Sequence, residues 1–69
     1  MITIEYIDDN MVGHRLTIER ADVSLYKGGV LFSLDKTEEI QHYWITSAGI
    51  LHSIRLGARY NVLGRVVQV

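Results

Sequence analysis

Short runs of alternating hydrophobic and polar residues make up most of this 69-residue chain. Apolar residues stand at every second position of residues 2–6, and the pattern returns in residues 15–19, where Leu16 and Ile18 share one side. Successive side chains of a β-strand point to opposite faces of a sheet, so this spacing predicts two strands with one buried face each. Polar residues 8–10 lie between the runs, and we expect them to end the first strand of a hairpin.

Two adjacent glycines give the clearest turn signal in the chain. Gly28 and Gly29 separate an alternating run at residues 22–27 from another at residues 30–34. A two-residue hairpin loop needs positive φ angles, which glycine adopts without the steric clash of a Cβ. The sequence therefore predicts a hairpin whose loop is Gly28 and Gly29.

The next run, residues 40–46, is apolar on both sides and follows a polar break at residues 35–38. As a strand, it places Trp44 on the same side as Ile40 and opposite Tyr43. Such a strand is covered on both faces or lies at an interface. Trp44 is therefore either the largest core residue or part of a binding surface.

Residues 47–57 can be interpreted in two ways. As a strand, the segment places Leu51 and Ser53 on one face, which is the interpretation we prefer. As a helix, it has Ser47 as its N-cap and Gly57 at its C-terminal end. The helix would turn the fold into an α+β arrangement, which we keep as the alternative.

Residues 60–69 predict a closing strand, with Gly64 marking a bulge or bend. Both ends of the chain are thus strand-like, and each needs a partner edge, because an exposed apolar edge without proline pairs readily with another chain. We expect a single all-β domain over residues 1–69, a small curled antiparallel meander or barrel of five to seven strands.

The size of the chain points to self-association. At 7.9 kDa, with no cysteine and no proline, it cannot use the disulfides that stabilise many small domains. A homo-oligomer is one remaining source of stability. No basic leader and no long apolar run is present, so we expect no membrane insertion and take a cytoplasmic location as the default.

Catalytic chemistry finds no support in the sequence. The histidines, His14, His42 and His52, have neither cysteine companions nor metal-binding spacing. The serines occur without a nucleophile motif, and the glycines do not form a phosphate-binding loop. We therefore expect a protein that is not an enzyme and has no metal site and no cofactor.

Charge is segregated along the chain. All eight acidic residues lie within residues 1–40, whereas residues 41–69 carry three arginines and no acid. Either the sheet interleaves the two halves and the asymmetry cancels, or the arginines form a basic patch that meets an anionic partner or the acidic half of a second copy.

A basic and aromatic set in the second half of the chain is the candidate binding site. Tryptophan, tyrosine and arginine are the residue types enriched at the energetic centres of protein interfaces. We therefore expect a non-catalytic protein-binding or assembly module that self-associates. The alternative is a small β-barrel that binds nucleic acid, although a pI of about 6.2 argues against it. The candidate residues are Tyr43, Trp44, His52, Arg55, Arg59, Tyr60 and Arg65.

Overall fold

The computed structural model describes residues 1–34, 40–55 and 60–69, and over these ranges the protein is all-β without a helix. The prediction of a curled antiparallel meander is confirmed: seven strands form one sheet that curls into a half-barrel. The strands are β1 (Ile2–Ile7), β2 (Gly13–Ile18), β3 (Asp22–Tyr26), β4 (Gly29–Ser33), β5 (Ile40–Ile45), β6 (Ile50–Arg55) and β7 (Tyr60–Gln68).

The strand order is β2-β1-β7-β6-β5-β4-β3, and every neighbouring pair is antiparallel. The two terminal strands pair with each other, since Tyr6 of β1 lies opposite Val66 of β7. The partner edge that each chain end needs is therefore supplied by the other end. The two edges of the sheet are β2 and β3, which follow one another in the sequence but are not paired.

One face of the curled sheet, which we call the inner face, holds the core. Its buried apolar side chains come from β1, β2, β4 and β6, and the register places them all on the same side. Tyr43 and Ile45 pack against this core from β5. The opposite face is called the outer face below. The buried core residues are Ile4, Ile18, Phe32 and Leu51.

The β3–β4 hairpin forms as predicted, but its loop lies one residue earlier. Tyr26 pairs with Gly29, so the loop is Lys27 and Gly28, both at positive φ (49° and 79°). Positive φ at both central residues is the type I′ arrangement, which fits the twist of the flanking strands. Gly29 is thus not a loop residue but the first residue of β4.

The segment after β5 is a turn and a strand, so the helix alternative is wrong. The Gly49 amide donates to the Thr46 carbonyl at 2.9 Å, and the Thr46 amide donates to the Ile50 carbonyl at 2.9 Å. Thr46 Oγ1 also accepts from the amides of Ala48 and Ile50, both at 3.2 Å. With Gly49 at φ 82°, these bonds close a three-residue loop that returns the chain as β6. Gly57, the proposed helix end, lies outside the described residues, as does the polar break at residues 35–38.

The prediction of an irregularity at Gly64 is confirmed. The β6–β7 register shifts between Leu51 and His52, which lie opposite Gly64 and Val62, respectively. A Cβ on Gly64 would overlap the Ile7 carbonyl oxygen and lie 2.9 Å from Tyr6 Cδ2. Glycine is therefore required at this position because β1 packs directly against it.

Candidate functional site

Four aromatic side chains from four strands meet on the outer face, and we call them the aromatic cluster: Tyr26, Trp44, His52 and Tyr60. The register explains the meeting, because Trp44 lies opposite His52 and both point away from the core. The Trp44 and His52 rings stack at 5.2 Å with an interplanar angle of 27°. Tyr26 and Tyr60 approach Trp44 edge-on, each with centroids 5.2 Å away. Such offset and edge-to-face geometries are the favourable ones for aromatic pairs.

Trp44 is fixed in place by its neighbours. Its Nε1 donates to the Tyr26 carbonyl at 3.2 Å. Gly29 makes room for this contact, since a Cβ there would lie 3.0 Å from Nε1 and overlap the Ile45 carbonyl oxygen. Trp44 is half-buried and lies outside the core cluster, so its interpretation as the largest core residue is wrong.

Lys27 adds a positive charge to the aromatic cluster. Its Nζ lies 5.3 Å from the Tyr26 ring centroid and 6.0 Å from that of Trp44. An ammonium group within about 6 Å of a ring face is attracted by the ring quadrupole. The type I′ turn places the lysine here, because Lys27 directly follows β3.

A hydrogen bond joins the two tyrosines of the aromatic cluster. The hydroxyl oxygens of Tyr26 and Tyr60 are 2.9 Å apart. The hydrogen bond with the Tyr60 hydroxyl lowers the pKa of Tyr26, and the nearby Lys27 charge also lowers it. The same hydrogen bond raises the pKa of Tyr60. Tyr60 thus donates to Tyr26 when the latter ionises.

The structure brings together only part of the predicted set. Trp44, His52 and Tyr60 meet in the aromatic cluster, whereas Tyr43 lies opposite Phe32 on the inner face and packs against the core. Arg59 lies outside the described residues.

Arg55 and Arg65 lie near opposite ends of β6 and do not form a single patch with each other. Arg65 lies opposite Ile50 at one end of β6, and Arg55 ends the same strand. These positions are five steps apart along an antiparallel strand, roughly 17 Å at about 3.4 Å per residue. Lys27 places a positive charge beside the aromatic rings.

Tyr26 and Lys27 belong to the candidate site but are not among the residues predicted from the sequence. They precede Trp44 by 18 and 17 positions, and only the β3–β4–β5 register brings them across the sheet. The available signal was the alternation of residues 22–27, which places Tyr26 on the same face as Ser24 and Asp22.

Charged groups from the two halves of the chain approach each other around the β1–β2 turn. Arg65 shares an open depression with Asp8 and Asp9. Within the first half, Glu5 and Arg15 lie directly opposite and form an ion pair of 3.0 Å. Around Arg65, the charge segregation along the sequence is therefore offset by the fold.

Asp8 is the organising residue of that turn. Its Oδ1 accepts from the amides of Asn10 (2.8 Å) and Val12 (3.0 Å), and its Oδ2 accepts from His14 Nε2 at 2.7 Å. These bonds lower the pKa of the Asp8 carboxyl, and the bond from His14 has the largest effect.

No group of three or more metal-ligating side chains occurs within residues 1–34, 40–55 and 60–69. In the same ranges, Nδ1 of His42 and Nδ1 of His52 are buried and make no hydrogen bond. Both histidines belong to the outer face, since they lie opposite Ile54 and Trp44, respectively.

Comparison of the chain with protein-family models, with curated proteins and with solved structures gives no significant match. In the part of the chain that the structure describes, there is no helix with the length and apolar character needed to cross a membrane.

Proposed function

We propose that this protein is a non-catalytic protein-binding and assembly module that self-associates and binds its partner through the aromatic cluster on the outer face. The observation that carries the proposal is the position of Trp44, whose ring lies on the face opposite the core together with three other aromatic side chains. The proposal includes a reducing compartment such as the cytoplasm, which suits a chain without cysteines.

The composition of the outer face supports this function. Tyr60 and Val62 are 41% and 59% exposed, and they adjoin the half-buried rings of Trp44 and His52. Contiguous exposed apolar and aromatic surface on a small protein is typical of an interaction site. Trp and Tyr combine a large contact area with few rotatable bonds, so they lose little conformational entropy on binding.

The side chains of the aromatic cluster are held in place before any partner binds. The indole of Trp44 is held by the Tyr26 carbonyl and the hydroxyl of Tyr60 by that of Tyr26. Side chains already fixed before binding avoid a cost of about 0.5–1.5 kcal/mol for each side chain that would otherwise be ordered. The aromatic cluster is therefore a rigid surface against which an apolar partner surface can pack.

Affinity purification of the tagged chain from its native cell, with and without nuclease, tests this function. We expect a protein partner that survives nuclease, is lost with Tyr60→Ser and is retained with Thr17→Ser on β2, far from the cluster. The purified partner, titrated into the protein, should also shift the emission of Trp44, the single tryptophan of the chain. A partner that binds both variants equally, or none that binds at all, would overturn the proposal.

Nucleic-acid binding is the second candidate, favoured by the combination of stacked rings with the Lys27 ammonium on one surface. It predicts oligonucleotide binding that weakens as the salt concentration rises. The slope of the logarithm of the binding constant against the logarithm of the salt concentration should become less steep by roughly 0.7 when Lys27→Gln removes one phosphate contact. We expect negligible binding of a mixed single-stranded oligonucleotide near physiological salt, because the chain has a net charge of -1. Tight binding under these conditions would favour the second candidate instead.

A further inference from the structure

Strand β3 is an edge of the sheet, and its apolar stretch from Val23 to Tyr26 is unprotected. It contains five residues in regular register with β4, without a bulge, and Val23 and Leu25 are 56% and 87% exposed. Natural edge strands are usually protected by a charge, a proline or a bulge. The stretch from Val23 to Tyr26 has none of these, whereas the other edge, β2, carries Arg15.

The hydrogen-bonding groups that β3 offers can be derived from its register. Tyr26 and Gly29 close the two-residue loop, so they form a hydrogen-bonded pair, and such pairs alternate along an antiparallel ladder. Ser24 is then hydrogen-bonded to β4 as well. The amides and carbonyls of Val23 and Leu25 point away from β4, toward the open side of the sheet.

We infer that β3 pairs with β3 of a second copy of this chain, antiparallel and about a two-fold axis at Ser24. This inference deepens the self-association in the proposed function and names its surface. In this register Val23 of each copy lies opposite Leu25 of the other copy. Val23 and Leu25 are also the residues whose backbone groups point outward, so they can form the hydrogen bonds between the two strands. All five residues of β3 are paired, and the apolar side chains meet on the inner face.

Charge complementarity selects the second copy as the partner. The same register places Asp22 of one copy opposite Tyr26 of the other, on the outer face. Lys27 Nζ already lies over the Tyr26 ring. Each end of the paired strands thus brings an acidic residue next to a basic one, and the two-fold axis generates this contact twice. A shift of the two-fold axis to Val23 or Leu25 would remove both contacts and leave part of β3 unpaired.

The dimer would also extend the binding surface, because Tyr26 belongs both to β3 and to the aromatic cluster. Pairing of the two β3 strands joins the sheets into one of fourteen strands. The two aromatic clusters then lie on one continuous outer face, on either side of the two-fold axis. A partner with two matching surfaces would gain avidity from this arrangement.

A charge-exchange experiment tests the register. The wild type should have a mass of about twice 7.9 kDa by light scattering or sedimentation. Asp22→Lys and Lys27→Asp each turn both attractive contacts repulsive and should weaken the dimer about tenfold. An equimolar mixture of the two variants restores opposite charges at both ends, so native mass spectrometry should show a heterodimer of nearly wild-type affinity.

Cysteine trapping gives an independent test that does not depend on charge. Ser24 lies on the two-fold axis in a non-hydrogen-bonded pair, in which Cα atoms are about 4.5 Å apart, close enough for a disulfide. Since the chain has no native cysteine, Ser24→Cys should form a covalent dimer under mild oxidation, and Thr17→Cys on β2 should not. Leu25→Lys, which changes an exposed side chain, should give a folded monomer.

Several outcomes would overturn the inference. These are a wild type that stays monomeric at high concentration, a mixture of charge variants that does not form the heterodimer, or equal trapping at Ser24 and Thr17. A wild type that is a folded monomer and still binds its partner through Tyr60 would reject β3 pairing and leave the aromatic cluster as the binding site. A wild-type dimer that binds no partner, or a dimer whose partner binding is unchanged by Tyr60→Ser, would reject only the aromatic cluster as the binding site.

Discussion

Met11 occupies a backbone conformation better suited to glycine. Its φ is 63°, and its side chain is exposed at the β1–β2 turn. The left-handed conformation costs a residue with a Cβ about 1–2 kcal/mol, and glycine avoids this cost. Glycine also makes the unfolded chain more flexible, which offsets part of the gain in stability. We expect Met11→Gly to raise the free energy of unfolding by about 0.5–1 kcal/mol, measured by urea denaturation.

The control for Met11→Gly is the adjacent residue. Val12 is not at positive φ, so Val12→Gly should lower the free energy of unfolding by about 0.5–1 kcal/mol. If both glycine substitutions destabilise the protein equally, Met11 does not have a positive φ in this turn.

Asp8 should make the stability of the protein depend on pH in acid. Its carboxyl has a lowered pKa in the folded state, so its contribution is fully present above the ordinary aspartate pKa of about 3.9. That contribution is lost as the pH falls through the lowered value, since the protonated carboxyl no longer accepts the same bonds. We expect urea denaturation to give a larger free energy of unfolding for the wild type than for Asp8→Asn at about pH 6. The difference between the two proteins should vanish as the pH is lowered to about 2.

A matched charge change distinguishes this effect from net charge alone. Asp9→Asn removes the same charge from the neighbouring exposed residue. We expect Asp9→Asn to keep the acid-dependent loss of stability seen in the wild type. An equal flattening by both variants would show that the bonds to Asp8 are not its cause.

At the level of single elements, the two glycines of the β3–β4 hairpin have different roles. Gly28 supplies a positive φ in the loop, and Gly29 makes room for Trp44 and for the backbone of β5. We expect Gly28→Ala to cost about 1–2 kcal/mol of stability through its φ. Gly29→Ala should cost more, about 2–3 kcal/mol, because the new Cβ overlaps fixed backbone atoms.

Trp44 emission separates these two effects. Gly29→Ala should displace the indole and shift its fluorescence to longer wavelength, whereas Gly28→Ala should leave the emission of the folded protein unchanged. Gly13→Ala is the control, since a Cβ there has open space and the φ is not positive. Equal effects of Gly28→Ala and Gly29→Ala on stability and fluorescence would argue against the observed register.

Most strands could be predicted because alternation directly reports a half-buried strand. The exact position of the β3–β4 loop, next to Gly29, could not be predicted from this alternation. Glycine at positions 28 and 29 predicts a tight turn, but the sequence does not say that Lys27 adopts positive φ and Gly29 does not. This difference depends on β5, whose backbone leaves no room for a Cβ at Gly29.

The candidate site shows the same limit. The two faces of residues 40–46 were predicted, and Tyr43 and Trp44 do lie on opposite faces. Which face holds the core depends on contacts with β4 and β6, so Tyr43, named as a site residue, packs against the core. Tyr26 and Lys27 could be found only with the register of three strands.

At the level of the whole molecule, the pairing of β1 with β7 holds the sheet together. The other strand pairs join neighbours in the sequence, whereas β1 and β7 come from opposite ends of the chain. The β1–β2 hairpin contributes Ile4 and Ile18 to the core and joins the rest of the sheet through β7. Among the described residues, loss of this pairing would thus detach two of the four buried core residues.

Substitution at Gly64 tests this dependence. A Cβ there overlaps the Ile7 carbonyl oxygen of β1, so Gly64→Ala should separate the strands locally and lower the free energy of unfolding by about 3 kcal/mol or more. Hydrogen exchange should accelerate first in β1 and β2, because they depend on β7 for their attachment. Gly49→Ala is the matched control: its φ is 82°, but a Cβ has open space, so we expect a cost of only about 1–2 kcal/mol and no selective exchange in β1. Uniform acceleration across all strands in Gly64→Ala would mean that the hairpin and the remaining strands unfold as one unit.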